Sequence, residues 1–173
     1  AESAGWVGTI DNISIREINP LAVSFGYKSL VTYAETGTSG SPSGGAGDAL
    51  FYSWNKDGSN YIESFLATNN ADDLISFAQE SLVVRDDVNF FFSPTPSINV
   101  PMSIASRHGS TFINGAVDGT ALTANTTPVA FPDLSTTDLV IAPSGGPQVI
   151  QRFIMWGGAT GDIGDTGIAE TSA

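Results

Sequence analysis

Few side chains of this sequence could support nucleophilic or acid–base chemistry. The 173 residues include one histidine, His108, and no cysteine, which excludes thiol catalysis and thiolate metal sites. A serine nucleophile needs a histidine partner and often lies on a G-x-S-x-G turn, a motif that the sequence lacks. His108 lies between Arg107 and Gly109 in "SRHGS", where glycine and serine favour an exposed turn between two strands. We therefore predict that the protein is not an enzyme.

Carboxylates are the most abundant reactive groups. The chain has 18 Asp and Glu against 6 Lys and Arg, a formal net charge of −12. Two carboxyl groups placed across a glycosidic bond can hydrolyse it, but no two glutamates are close in the sequence, so glycan hydrolysis is the weakest interpretation. Turns such as "NKDGSN" resemble part of a calcium loop, although the spacing is wrong and the closing glutamate is absent. We expect no cofactor, and a structural Ca²⁺ is the one metal that such turns would suit.

Saccharide binding is harder to dismiss. Shallow lectin-type sites combine an aromatic platform with polar side chains on loops. One hairpin offers such a set, and a second turn adds two further side chains that could contact a ligand or partner. These candidates are Trp54, Asn55, Asp57 and Tyr61, together with Arg107 and His108. Trp54 has a competing interpretation as a core residue of its strand, which we favour.

The charge balance also excludes several partners. Nucleic-acid binding needs a basic surface that can release phosphate counterions, and six basic residues are too few. Anionic membranes are disfavoured for the same reason, and no apolar run approaches the roughly 20 residues that would span a bilayer. The chain starts without Met or a signal-peptide pattern, so we expect it to be processed or to be a piece of a longer protein.

The elements that must position these residues are short strands. Apolar runs alternate with turn residues at about ten-residue spacing, which predicts ten to twelve strands in an all-β antiparallel sandwich. The clearest hairpin covers residues 49–68, with Asp57-Gly58 expected to adopt left-handed backbone. Further predictions are strands over 81–92, 139–142 and 147–158, turns at 108–110, 114–115 and 118–119, and a short C-terminal helical turn capped by Asp165.

Four stretches of the sequence share a pattern with one known class of module. They are "ASR" at 105–107, "GSTFINGAVDG" at 109–119, "LVIA" at 139–142 and "VIQRFIMW" at 149–156. The pattern resembles the concanavalin A-like, laminin-G-like sandwich modules of tailed-phage virion proteins, such as tail fibres and head or tail appendages. The likeness covers residues 21–173. The sequence departs from the pattern of these modules at Pro143 and in the long loop at 36–48. Residues 1–20 are similar to the closing strand of an upstream module, or they form the first strand of this sandwich.

The resemblance implies a non-enzymatic adhesion module on the surface of a virion. Its partners would be other virion proteins and host-surface carbohydrate, and the module would be a homo-oligomer, commonly a trimer. The alternative is an architectural decoration domain of the head or tail, whose loops contact virion proteins alone. Both alternatives share one fold, so fold alone does not separate them.

Overall fold

A computed structural model describes residues 22–31, 49–69, 72–92, 100–142 and 148–173. The expectations for residues 1–20, for the loop at 36–48 and for the departure at Pro143 lie outside these ranges. The described part of the chain forms ten strands, a short 3₁₀ helix and one α-helix. Their bounds are β1 Ala22–Val31, β2 Ala49–Asp57, β3 Asn60–Asn69, β4 Asp72–Ser81, β5 Val84–Phe91, β6 Pro101–Gly109, β7 Ile113–Val117, β8 Thr120–Ala121, β9 Leu139–Ile141, β10 Gln148–Gly157, the 3₁₀ helix Gly158–Thr160 and α1 Gly164–Ser172.

The strands form two five-stranded antiparallel sheets packed face to face. Sheet A has the order β10-β1-β6-β7-β8, and sheet B has the order β5-β4-β3-β2-β9. Successive side chains of a strand point to opposite faces, so each sheet turns one apolar face inward. The prediction of an all-β antiparallel sandwich of the concanavalin A-like jelly-roll type is confirmed.

Aromatic side chains fill the space between the sheets. Phe25 of sheet A and Tyr52 of sheet B have ring centroids 4.3 Å apart, and Tyr27 and Phe51 are 5.3 Å apart. Gly115 of β7 faces the fully buried ring of Phe77 on β4. The predicted turn at Asn114-Gly115 is therefore wrong, because both residues lie inside β7 and a glycine there lets the sheets approach closely.

Gly115→Ala is expected to destabilise the fold by about 2 kcal/mol, since a methyl group there has no room. An ideal Cβ at Gly115 would lie 2.0 Å from Cδ2 of Phe77, so the ring or the sheet must shift. Urea unfolding measures this loss. Gly58→Ala is the matched control, because nothing lies within 4 Å of its Cβ position. Equal unfolding midpoints for the two variants would contradict the close approach.

Two turns were not predicted as the structure has them. The strand predicted over 81–92 is confirmed as β5 from Val84 to Phe91, but its start is wrong, because Leu82 and Val83 carry φ angles of +52° and +64° and form a turn after β4. Asp57-Gly58 has no positive φ. There the Asp57 carboxylate instead accepts the Ser59 N–H at 2.9 Å and closes the turn.

The C-terminal helix α1 packs on the outer face of sheet A. Its Ile168 is fully buried against Ala105 and Ala116. The predicted helix is confirmed but is longer than one turn, and its N-cap residue is Ile163 rather than Asp165. Asp165 lies in the first turn instead, where its carboxylate binds sheet A.

Among the described residues, no helix is long and apolar enough to cross a membrane. The predicted turn at Asp118-Gly119 is confirmed, with φ angles of +44° and +82°.

Candidate functional site

Polar side chains line the outer face of sheet B. Ile62 and Leu66 of β3 point into the core, so Tyr61 and Glu63 lie on the face that points away from sheet A. The strand register then places other residues beside them in rows across the sheet. One row is Asn55, Tyr61, Glu80 and Arg85, and the next is Ser53, Glu63, Ala78 and Asp87.

The side chains of these rows converge on one guanidinium group. Arg85 donates to the Tyr61 hydroxyl at 3.0 Å and to Glu63 Oε1 at 3.4 Å. The Tyr61 hydroxyl donates in turn to Glu80 Oε2 at 2.7 Å. Arg85 Nε also lies 3.5 Å from Asp87 Oδ2. We call Tyr61, Glu63, Glu80, Arg85 and Asp87 the Arg85 cluster.

The Arg85 cluster is desolvated and carries excess negative charge. The guanidinium pairs with the carboxylates of Glu63 and Asp87, and the third carboxylate, that of Glu80, is joined to it through the Tyr61 hydroxyl. Burial raises the pKa of Glu63 above its usual value, and the nearby Arg85 offsets this only in part. Burial likewise raises the pKa of Tyr61. Such a site favours a neutral hydrogen-bonding ligand over an anion.

Several buried polar atoms of this face make no hydrogen bond. They are Nε and the second terminal nitrogen of Arg85, Oγ of Ser76 and Oδ1 of Asn89. Buried polar groups are nearly always hydrogen-bonded, so unpartnered donors and acceptors gathered on one face need an explanation. A bound ligand with hydroxyl groups could satisfy donors and acceptors of both kinds.

The structure separates the residues predicted for saccharide binding on the hairpin. Asn55 is exposed and stands beside Tyr61 on the outer face, at the rim of the Arg85 cluster. Asp57 is exposed at the turn, where its carboxylate also accepts a bond from the Asn60 side chain at 3.0 Å. Trp54 lies on the opposite face of the strand and packs against the core. Their role in ligand binding stays a prediction.

Trp54→Ala is expected to lower the free energy of unfolding by about 2 kcal/mol and to leave saccharide binding unchanged. The indole is half-buried against the core, and its Nε1–H donates to the Thr137 carbonyl at 2.9 Å. Chemical unfolding and ligand titration on the same sample separate the two effects. Loss of binding with unaltered stability would restore Trp54 as an aromatic platform.

The prediction that His108 occupies an exposed turn is wrong. Strand β6 continues through His108 to Gly109, and the imidazole is fully buried between the sheets. Its Nε2 lies 2.8 Å from the Tyr52 hydroxyl, which is 2.6 Å from Ser106 Oγ. Burial lowers the pKa of His108 to about 3, so the ring is neutral and closed to a surface ligand in this structure.

Arg107 also lies away from any loop tip. Its guanidinium is largely buried and binds Asp165 Oδ1 at 2.8 Å and Asp162 Oδ1 at 3.0 Å. Asn114 donates to the same Asp165 oxygen at 2.5 Å, and the Phe112 ring centroid is 4.4 Å from Arg107 Cζ. Arg107 therefore fixes the start of α1 on sheet A, which corrects its predicted position at a contact surface.

Sequence reasoning missed Glu63, Glu80, Arg85 and Asp87. Alternation along β3 could have placed Glu63 beside Tyr61 on the polar face. The other three depend on the register of β4 and β5, which is set by the turn at Leu82-Val83. Within the described ranges, no three His, Cys, Asp or Glu side chains form a metal-binding group. The expectation of no cofactor, with Ca²⁺ as the one metal that the turns would suit, stays a prediction.

Comparisons by sequence give no relative: no protein-family model and no curated protein matches the chain. Solved structures do match. The binding domain of botulinum neurotoxin serotype D has a TM-score of 0.59 and 9% identity, over 92% of this chain and 38% of that chain. Domains LG4-5 of the mouse laminin α1 chain have a TM-score of 0.52 and 12% identity, over 79% and 36%.

A third similar structure is domain 4 of a GH43 extracellular arabinanase from Geobacillus stearothermophilus, in complex with arabinotriose. Its TM-score is 0.54 at 12% identity, over 92% of this chain and 69% of that chain. The chain spans well under half the length of the laminin and neurotoxin chains. At such low identities the likeness is one of fold, and that fold is the concanavalin A-like, laminin-G-like sandwich.

Proposed function

We propose that this chain is a non-enzymatic saccharide-binding module that binds its ligand at the Arg85 cluster. The main supporting observation is that several buried polar atoms of Arg85, Ser76 and Asn89, on the outer face of sheet B, make no hydrogen bond. The arabinotriose complex of the similar arabinanase domain supports a saccharide as the class of ligand. The negative charge of the cluster favours neutral sugars over sialylated or sulfated ones.

A more specific proposal, about where the protein acts, follows from the resemblance of residues 105–119 and 149–156 to phage modules. The chain then belongs to a tail fibre or to a head or tail appendage on the surface of a virion, as a homo-oligomer that is commonly a trimer. Its partners are other virion proteins and host-surface carbohydrate, and nucleic acid is not among them. A decoration domain that contacts virion proteins alone is the alternative, and it predicts no saccharide ligand.

A glycan array followed by calorimetric titration tests the proposal. We expect the wild type to bind a neutral oligosaccharide. Asn55→Ala should weaken this binding about fivefold to tenfold, which corresponds to the free energy of about one hydrogen bond. Asn55 is exposed, so the substitution leaves the fold intact. Gln151→Ala, an exposed amide on sheet A, is the matched control and should bind as the wild type. An array with no bound glycan would contradict saccharide binding and leave the decoration role.

A glycan hydrolase is the second candidate, and one observation favours it. The fold brings Glu63, Glu80 and Asp87 together in the Arg85 cluster, and Glu63 has the raised pKa that a general acid needs. Turnover of any polysaccharide that Glu63→Gln abolishes would overturn the non-enzymatic proposal. Binding without turnover, by both the wild type and the Gln variant, would support it.

A further inference from the structure

An aliphatic knob projects from one end of the sandwich. Leu82, Val83 and Val84 are 75%, 76% and 57% exposed, and we call them the tip. Leu82 and Val83 hold left-handed backbone, a conformation that bulky and β-branched residues rarely adopt. Asn-Gly would form the same two-residue hairpin turn without that strain, so the local backbone does not explain the apolar residues.

An exposed acidic side chain lies in the turn next to the tip. The neighbouring turn of β2 and β3 touches it, since Val83 N–H donates to the Ser59 carbonyl at 3.4 Å. Asp57 is fully exposed in that turn. Asp86 follows the tip on β5, but its half-buried carboxylate already accepts the Val129 N–H at 2.5 Å. Lys56 is nearby but pairs with Asp133 at 3.5 Å. An apolar surface with a cationic border would therefore suit the tip best.

The opposite end of the sandwich carries a surface of that kind. On the outer face of sheet A, the strand register places Val149, Leu30 and Pro101 in one row and Arg152 beside Lys28 in the next. Val149 is 53% exposed, and Lys28, Pro101 and Arg152 are also exposed. We call these five residues the basic patch.

The two cations of the basic patch lie opposite each other on neighbouring strands. Neither Lys28 nor Arg152 takes part in an ion pair within the described part of the chain. Like charges placed opposite each other on neighbouring strands repel, so an anionic partner would reduce the repulsion between Lys28 and Arg152. In a chain with 6 basic against 18 acidic residues, such a patch is uncommon.

We propose that the tip of one copy docks on the basic patch of a second copy of this chain. The apolar residues of the tip contact those of the patch at the centre, while the exposed Asp57 faces Lys28 and Arg152 at the border. The tip lies at the Ser81 end of sheet B and the patch at the Pro101 end of sheet A. These ends are opposite, because Gln79, near the tip, donates to the Gly109 carbonyl at the other end of β6 from Pro101.

The contact is head-to-tail, because the two surfaces are different and lie at opposite ends. Such heterologous contacts close into rings or continue as filaments, whereas two-fold dimers use one surface twice. The proposal names surfaces for the oligomer included in the proposed function, and it does not depend on saccharide binding.

Light scattering after size exclusion, across protein concentrations and salt, tests the contact. The tip variant Leu82→Asn with Val83→Gly removes the knob while suiting the turn, so it should fold at least as well as the wild type. The patch variant Lys28→Glu with Arg152→Glu reverses the cationic border. We expect self-association weakened about 100-fold in the tip variant and at least about tenfold in the patch variant. Val140→Asn, at another exposed apolar residue, is the matched control and should associate as the wild type.

Mixing the two variants gives the sharpest outcome. The tip variant retains an intact patch and the patch variant an intact tip, so each is monomeric alone and the mixture forms a dimer. A mixture that stays monomeric, or a tip variant that associates like the wild type, would overturn the tip and patch contact. A wild type that is monomeric at every concentration would overturn the oligomer of the proposed function as well.

Discussion

Acidification from pH 7 to pH 3 is expected to remove about 4 kcal/mol of folding stability through His108 alone. The folded pKa is lowered to about 3, whereas the unfolded ring titrates near 6.5. Between these values the unfolded chain binds a proton that the folded chain does not, so stability is full above pH 6.5 and falls as the pH drops. The loss approaches about 1.4 kcal/mol per pH unit.

The histidine contribution is isolated by comparing the wild type with His108→Phe. Urea unfolding at a series of pH values gives the free energy of unfolding of each protein. The variant loses the contact with the Tyr52 hydroxyl at every pH, which lowers its curve without changing its slope. Carboxylates titrate in both proteins, so the difference in slope below pH 6.5 belongs to His108. Parallel curves would contradict a neutral, buried imidazole.

Arg107→Met is expected to lower the free energy of unfolding by about 3 kcal/mol and to release α1 from sheet A. Removing one partner of a buried ion pair costs about 3–5 kcal/mol, and the half-exposed Asp162 and Asp165 place the loss at the low end of that range. Asn114 would remain bound to Asp165, but the charge of that carboxylate would be uncompensated. Urea unfolding measures the loss, and hydrogen exchange of the α1 amides measures its release.

Lys56→Met is the matched control for Arg107→Met. Lys56 pairs with Asp133 at 3.5 Å on the surface, where ion pairs contribute about 0–1 kcal/mol. The control should therefore unfold within about 0.5 kcal/mol of the wild type, with unchanged exchange in α1. Equal losses in the two variants would contradict the anchoring role of Arg107.

Local signals were enough to predict the sandwich and several of its elements. The hairpin of β2 and β3 and the strand β10 have clear alternation, and Asp118-Gly119 has the residues that its turn requires. The turn at Leu82-Val83 has neither glycine nor asparagine, and its residues favour strands. Strands were therefore predicted over 74–80 and 81–92 with no turn between them, and the second prediction starts three residues before β5.

Burial of polar residues was the part that the sequence could not predict. His108 and Arg107 lie next to glycine and serine, which favour a turn, yet both are held by residues more than 50 positions away, Tyr52 and Asp165. Asn55 and Tyr61 could be predicted as neighbours because they share one hairpin. Arg85 was missed, since its place beside Tyr61 depends on the register of three strands.

Saccharide binding at the Arg85 cluster is tested most directly by the NMR signal of the Arg85 side-chain Nε–H group, assigned with Arg85→Lys. This group makes no hydrogen bond in the structure, and its nearest carboxylate oxygen among the described contacts is Asp87 Oδ2 at 3.5 Å. Titration with the oligosaccharide found on the array should shift this signal and the Asn55 side-chain amide together, with a shared dissociation constant. Shifts confined to other faces of the sandwich, with both of these signals unmoved at saturation, would contradict the site.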